Sequence, residues 1–89
     1  MKAVVEFSNG INGYDYQEYL IIPEDMSAKE VCDFLAVSLR KYADNTYFAG
    51  EEIGRTKEEH FEECSYHLTF ANGEIDDEGF ISIKDLRES

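Results

Sequence analysis

His60, Cys64 and His67 are the residues whose types and spacing come nearest to a chemical site. On a helix their i, i+4, i+7 spacing brings all three to one face, a nitrogen and sulfur donor set of the kind zinc takes. On a strand His67 points away from the other two, and the cluster dissolves. No Cys-x-x-Cys pair anchors it, so the pattern predicts a buried cysteine with surface histidines and no metal. A Cys64–His60 or Cys64–His67 pair could form a thiolate nucleophile, but an activated thiol needs an electropositive, partly exposed setting. Glu59, Glu62 and Glu63 instead crowd negative charge around Cys64, which raises a thiol pKa. Twenty of the 89 residues are Asp or Glu, so no carboxylate pair stands out as an acid/base couple. The glycines form neither a G-x-x-x-x-G-K-[ST] nor a G-x-G-x-x-G pattern. These absences predict a non-enzyme that carries no cofactor.

The stretch from Glu74 to Leu86, Glu-Ile-Asp-Asp-Glu-Gly-Phe-Ile-Ser-Ile-Lys-Asp-Leu, offers a second donor set. It resembles the calcium-binding loop of the EF-hand family. Glu74, Asp76 and Glu78 fall at loop positions 1, 3 and 5, Gly79 at the sharp turn, Ile81 at position 8 and Asp85 at position 12. The resemblance implies a calcium ion held by hard oxygens around a glycine bend. Several features depart from the family. Position 1 is glutamate rather than aspartate, and position 12 is aspartate rather than the bidentate glutamate. Only four residues follow Asp85, so the exiting helix is missing, and no second loop pairs with this one. The departures favour an acidic turn before an edge strand, with weak calcium binding by residues 74–85 as the alternative.

The elements that would position these residues can be read from patterning. Lys2 to Phe7 carries Val4, Val5 and Phe7 and reads as a strand. Two Asn-Gly pairs, Asn9-Gly10 and Asn12-Gly13, then signal a turn. Tyr14 to Ile22 forms the return strand up to Pro23, with Tyr14, Tyr16 and Glu18 on one face and Asp15, Gln17 and Tyr19 on the other. Ser27-Ala28-Lys29-Glu30 is a capping box, with Met26 and Val31 at the hydrophobic-staple positions. Val31, Phe34, Leu35, Leu39 and Tyr42 continue as a helical stripe that Cys32 and Ala36 widen. Arg40 and Lys41 suit a last turn, so the spacing predicts a helix over 27–43. Residues 44–54 carry only scattered anchors. Thr56-Lys57-Glu58-Glu59 repeats the capping box and predicts a short helical turn. Residues 63–71 alternate better as a strand than as a helix, Asn72-Gly73 signals a turn, and Phe80 to Ile83 reads as a last strand. The sum is one α+β domain over residues 1–89. It is a small open antiparallel sheet of ββαββ type, hairpin, helix, hairpin, with one long amphipathic helix packed on one face.

Charge supplies the global constraint. The chain carries eight bases against its twenty acids, a net charge of −12, and a pI near 4.3. That excludes direct phosphate-led binding of nucleic acid and docking on an anionic membrane. A hydrophobic content of 43% is too high for a disordered acidic tail. Residues 1–43 carry −3 and residues 44–89 carry −9. Glu6 interrupts any secretory apolar stretch, the longest apolar run is Tyr19 to Ile22, and two cysteines make no disulfide framework. A cytoplasmic protein with reduced thiols is expected.

Within the second half the charge bunches at Glu58, Glu59, Glu62 and Glu63, and again at Glu74, Asp76, Asp77 and Glu78. In size, charge and fold simplicity the chain is similar to small phage-encoded inhibitors, including anti-CRISPR and other DNA-mimic proteins. That resemblance rests on no shared motif. It implies an acidic inhibitor that occupies the positively charged, nucleic-acid-binding groove of a partner protein. Those eight carboxylates would then stand in for phosphates, with Tyr14, Tyr16, Tyr47 or Phe48 as apolar anchors. The alternative is a generic interaction module, β-grasp-like, whose acidity serves solubility. Its contact would be an edge strand or an aromatic patch of Tyr14, Tyr16 and Tyr19.

Overall fold

β1 (Lys2–Ser8) and β2 (Tyr16–Ile21) form the first hairpin, and its loop turns through Gly10 and Gly13 at φ of 79° and 92°. Asn9 fastens the loop locally, because its Oδ1 accepts a hydrogen bond from the Ile11 amide at 2.9 Å. α1 (Ala28–Glu52), α2 (Lys57–Glu63), β3 (Ser65–Ala71) and β4 (Ile81–Ser82) follow in the chain. The structure, a computed structural model, describes residues 1–71 and 80–83. Among the described residues, no helix is long and apolar enough to cross a membrane.

β1 lies inside the sheet, whose order is β3-β1-β2-β4. It runs antiparallel to both β2 and β3, so the three strands make an open antiparallel sheet. The alternation of β1 sends Ala3, Val5 and Phe7 to one face, where all are buried. Register places Leu20, Glu18 and Tyr16 of β2 opposite them, and Leu68 and Tyr66 of β3 opposite Val5 and Phe7. α1 covers this face with Val31, Leu35 and Tyr42, and Ile83 joins the same core. Leu35, 1% exposed, contributes about 2 kcal/mol by leaving water.

β3 and β4 are not the partners of a second hairpin, contrary to the sequence expectation. β3 pairs with β1, whereas β4 pairs in parallel with β2 at the opposite edge. β1 offers β3 a seven-residue register from Lys2↔Ala71 to Ser8↔Ser65. A two-residue β4 cannot match that pairing. Asn72 and Gly73 lie outside the described residues.

Both capping boxes are present. The Ser27 hydroxyl accepts from the Glu30 amide at 3.2 Å, and the Ser27 amide donates to Glu30 Oε1 at 3.3 Å. At α2 the Thr56 hydroxyl accepts from the Glu59 amide at 3.1 Å, and the Thr56 amide donates to Glu59 Oε1 at 3.0 Å. Each cap is worth about 1 kcal/mol.

α1 does not end near residue 43. It runs to Glu52, which places Arg40 and Lys41 inside it and leaves no base in its last turn. At 1.5 Å per residue its 25 residues span about 37 Å, against about 23 Å for the seven residues of β1. The buried stripe changes character along the way, from Val31, Leu35 and Tyr42 to Ala43, Thr46, Ala49 and Gly50. Large side chains meet the sheet, and small ones let α2 approach closely. Cys32 and Ala36 do not widen the stripe, because both are exposed. A Schellman turn ends the helix: Gly54 (φ 86°) donates to the Glu51 carbonyl at 3.0 Å, and Arg55 donates to that of Gly50 at 2.9 Å.

Candidate functional site

α2 is short enough that its capping and its inner face determine where every side chain goes. His60 is buried, Phe61 is half-buried and Cys64 just beyond is buried, which leaves Glu58, Glu59, Glu62 and Glu63 exposed. The four expected contact residues of this helix therefore share one solvated surface. Glu51 and Glu52, at the end of α1, are exposed beside the turn into α2. They were not among the expected contact residues, because their segment read as an irregular linker. The remaining expected contacts, Glu74, Asp76, Asp77 and Glu78, lie outside the described residues, as does most of the calcium-like loop.

The nearby cations make ring and carbonyl contacts rather than ion pairs with this surface. The Arg40 guanidinium lies 4.5 Å from the centre of the Phe61 ring, and the Lys57 ammonium 5.9 Å from that of Tyr47. Arg55 donates to the Asn9 carbonyl at 2.8 Å. Among the described residues, Glu58, Glu62 and Glu63 enter no ion pair. The hydrogen bonds from Thr56 hold the Glu59 carboxyl below its ordinary pKa.

His60 departs from the expectation of a surface histidine. It is 1% exposed. Thr46 Oγ1, 2.9 Å from His60 Nε2, donates its own proton to the Tyr42 carbonyl at 2.9 Å. The imidazole must therefore donate through Nε2–H. Its Nδ1 then accepts from the Arg55 guanidinium at 3.1 Å. Burial, and secondarily the charge of Arg55, holds its pKa below the ordinary value. Gly50 makes room for the ring, since a Cβ there would come within 2.9 Å of His60 Cγ. His67 stands exposed on the outer face of β3, opposite Glu6. The three candidate ligands do not converge. Among the described residues, no group of three or more His, Cys, Asp or Glu could hold a metal ion. Burial pushes the Cys64 thiol up, with Glu63 adding and Arg55 opposing, so it stays protonated and weakly nucleophilic at neutral pH.

The aromatic candidates divide between surfaces. Tyr16 and Tyr14 line a groove between β2 and α1, whereas Tyr19 lies on the other side of the sheet, edge-on to Phe80 at 5.4 Å. Tyr14, Tyr16 and Tyr19 therefore do not form one patch. Phe48, 57% exposed, packs edge-on against Tyr14 at 5.6 Å. The Tyr47 hydroxyl donates to the Arg55 carbonyl at 3.1 Å, which occupies it structurally.

The groove measures about 560 Å³ and is walled by Tyr14, Tyr16, Phe34 and Tyr42, with Glu18 and Lys41 also on its lining. The Tyr42 hydroxyl donates to the Tyr14 carbonyl at 2.6 Å and ties the hairpin loop to α1. Its pKa is pushed up to about 12, by burial first and then by Cys64 and Asp15. Glu18 Oε2 is buried and has no hydrogen-bond partner among the described residues. Burial raises the Glu18 pKa, and Lys41 opposes that rise. Compared with protein-family models, curated proteins and solved structures, this chain matches none.

Proposed function

We propose that this protein is a small acidic binding protein that acts by occupancy rather than catalysis. It docks on a positively charged surface of a partner protein, of the kind that otherwise holds nucleic acid. Its contact residues are Glu58, Glu59, Glu62 and Glu63 on α2, together with Glu74, Asp76, Asp77 and Glu78. The observation that carries this reading is that, among the described residues, no neighbouring cation forms an ion pair with Glu58, Glu62 or Glu63. Arg40, Arg55 and Lys57 bind rings and carbonyls while the α2 carboxylates stay exposed. A surface evolved only for solubility would tolerate charge pairing equally well. An unpaired acidic field is what accelerates encounter with a basic surface, by about 10- to 1000-fold. Ile53, 61% exposed at the end of α1 just before α2, supplies an apolar anchor, and Phe48, 57% exposed on α1, offers a second, as interface energetics require.

The test is a capture experiment at about 50 mM and about 300 mM salt, between which the screening length falls from ~14 Å to ~6 Å. The captured partner is then purified and challenged with a nucleic-acid duplex. Loss of capture at high salt, displacement by the duplex and weaker binding of Glu62→Lys/Glu63→Lys would support the reading. A partner held equally at both salts and indifferent to those substitutions would sink it.

A further inference from the structure

We propose that the groove between β2 and α1 is a binding site for a small organic ammonium, a primary amine carried on an aromatic or aliphatic body, with Glu18 as its counter-ion. None of the lining residues belongs to α2, so this site is separate from the acidic docking surface.

The position of Glu18 is the starting point. It lies opposite Val5 in the β1–β2 register, on the face that carries Tyr16 and Leu20. Val5 and Leu20 are core residues, so a carboxylate in this row breaks an otherwise apolar pattern. Buried polar atoms are nearly always hydrogen-bonded, and one left over calls for a missing partner. Glu18 Oε2 is such an atom. Lys41 lines the same groove, yet it makes no ion pair with Glu18 among the described residues. The carboxylate is close enough to feel that charge and is not bonded to it.

The rest of the lining defines the ligand. Aromatic rings attract a cation through their quadrupoles, so walls of Tyr14, Tyr16, Phe34 and Tyr42 favour an organic cation over a bare polar ligand. Asp15 adds a second acid against the one base, Lys41, which disfavours an anion. At about 560 Å³ the volume falls within the ~300–1000 Å³ range of small-molecule sites. The occupant therefore has one ammonium to satisfy Glu18 and an apolar body to fill the space beyond.

The experiment titrates the full chain with 2-phenylethylamine and with 2-phenylethanol, a neutral molecule of similar shape, reading chemical shifts of groove residues. The amine is expected to bind about tenfold or more tightly than the alcohol, the discrimination that a charge-assisted hydrogen bond supplies. Glu18→Gln should abolish that preference, and Lys41→Gln, an exposed change, should tighten amine binding. Equal binding of amine and alcohol overturns the proposal, as does the absence of shifts up to about 10 mM. Tighter binding of phenylacetate overturns it too.

Discussion

Thr46 Oγ1 and His60 Nε2 lie 2.9 Å apart, and this contact joins α1 to α2 through a neutral imidazole. The ring cannot take a proton at Nδ1 without losing its hydrogen bond from the Arg55 guanidinium and placing two cations side by side. Folding and protonation are therefore coupled. The folded ring has a pKa below its ordinary 6.5, so beneath that pH the unfolded chain binds a proton that the folded chain refuses. The His60 contribution to stability should be level above about pH 6.5 and should fall as pH drops below it. Urea midpoints of wild type and His60→Gln measured from about pH 7.5 down to about pH 5 check this, because the difference between the two should carry that slope.

Gly50→Ala tests how closely the two helices approach. Alanine is the better helix former by about 1 kcal/mol, so an open position would gain stability. Here the added methyl meets the His60 ring, and overpacking of this kind costs about 1–3 kcal/mol. Denaturant unfolding should show net destabilisation, and a more stable variant would refute the close contact.

Glu18→Gln should stabilise the fold at neutral pH. The folded pKa of Glu18 is raised, so its favourable contribution is complete below its ordinary 4.5 and is lost as pH rises through the folded value. Glutamine carries no such pH dependence. The gain at pH 7 is read as a rise in Tm, because glutamine removes the cost of keeping a charged carboxylate partly out of water. Melting curves at pH 7 and pH 4 should show the advantage at the first and little at the second.

Salt should stabilise the wild-type chain. A net charge of −12 on 89 residues repels itself, and added sodium chloride screens that repulsion. Glu62→Lys/Glu63→Lys, changed on the exposed side of α2, should melt within about 0.5 kcal/mol of wild type at high salt. It should also respond less to salt. Calorimetry across a salt series makes the comparison.

The two thiols should differ in rate. Cys32 is exposed, whereas Cys64 is buried and has a raised pKa. A thiol-reactive chromophore should label Cys32 promptly at pH 7.5 and Cys64 only as the protein opens. Two equal phases would contradict the burial of Cys64.

Local signals in this sequence were legible, and those that depend on distant partners were not. The Ser27 and Thr56 caps act through residues three positions away, so both could be read directly. The alternation that puts Tyr16 and Glu18 on one face is equally local. The end of α1 was hidden because Ala43, Thr46, Ala49 and Gly50 lack the bulk that marks a buried stripe. They are small because a helix, not a sheet, packs on them. His60, set among Glu58, Glu59, Glu62 and Glu63, reads as a surface residue. Its burial depends on Gly50 and Thr46, which come from another element. Asn72-Gly73 suggested a local hairpin, yet the extended partner for β3 was β1, at the other end of the described chain. For the candidate site, exposure of the α2 acids was foreseeable, whereas the groove around Glu18 emerges only when β2 and α1 meet.

The central place of β1 sets the order of events during synthesis. β1 meets β2 soon after it is made, but its pairs with β3 join residues from 57 to 69 positions apart. At about 5–20 residues per second, roughly 3–14 s separate translation of the two strands. Through that interval a nascent chain carries Val4, Val5 and Phe7 on a strand with one bare edge, and cooperative closure of the sheet waits for the ribosome to deliver Ser65 to Ala71.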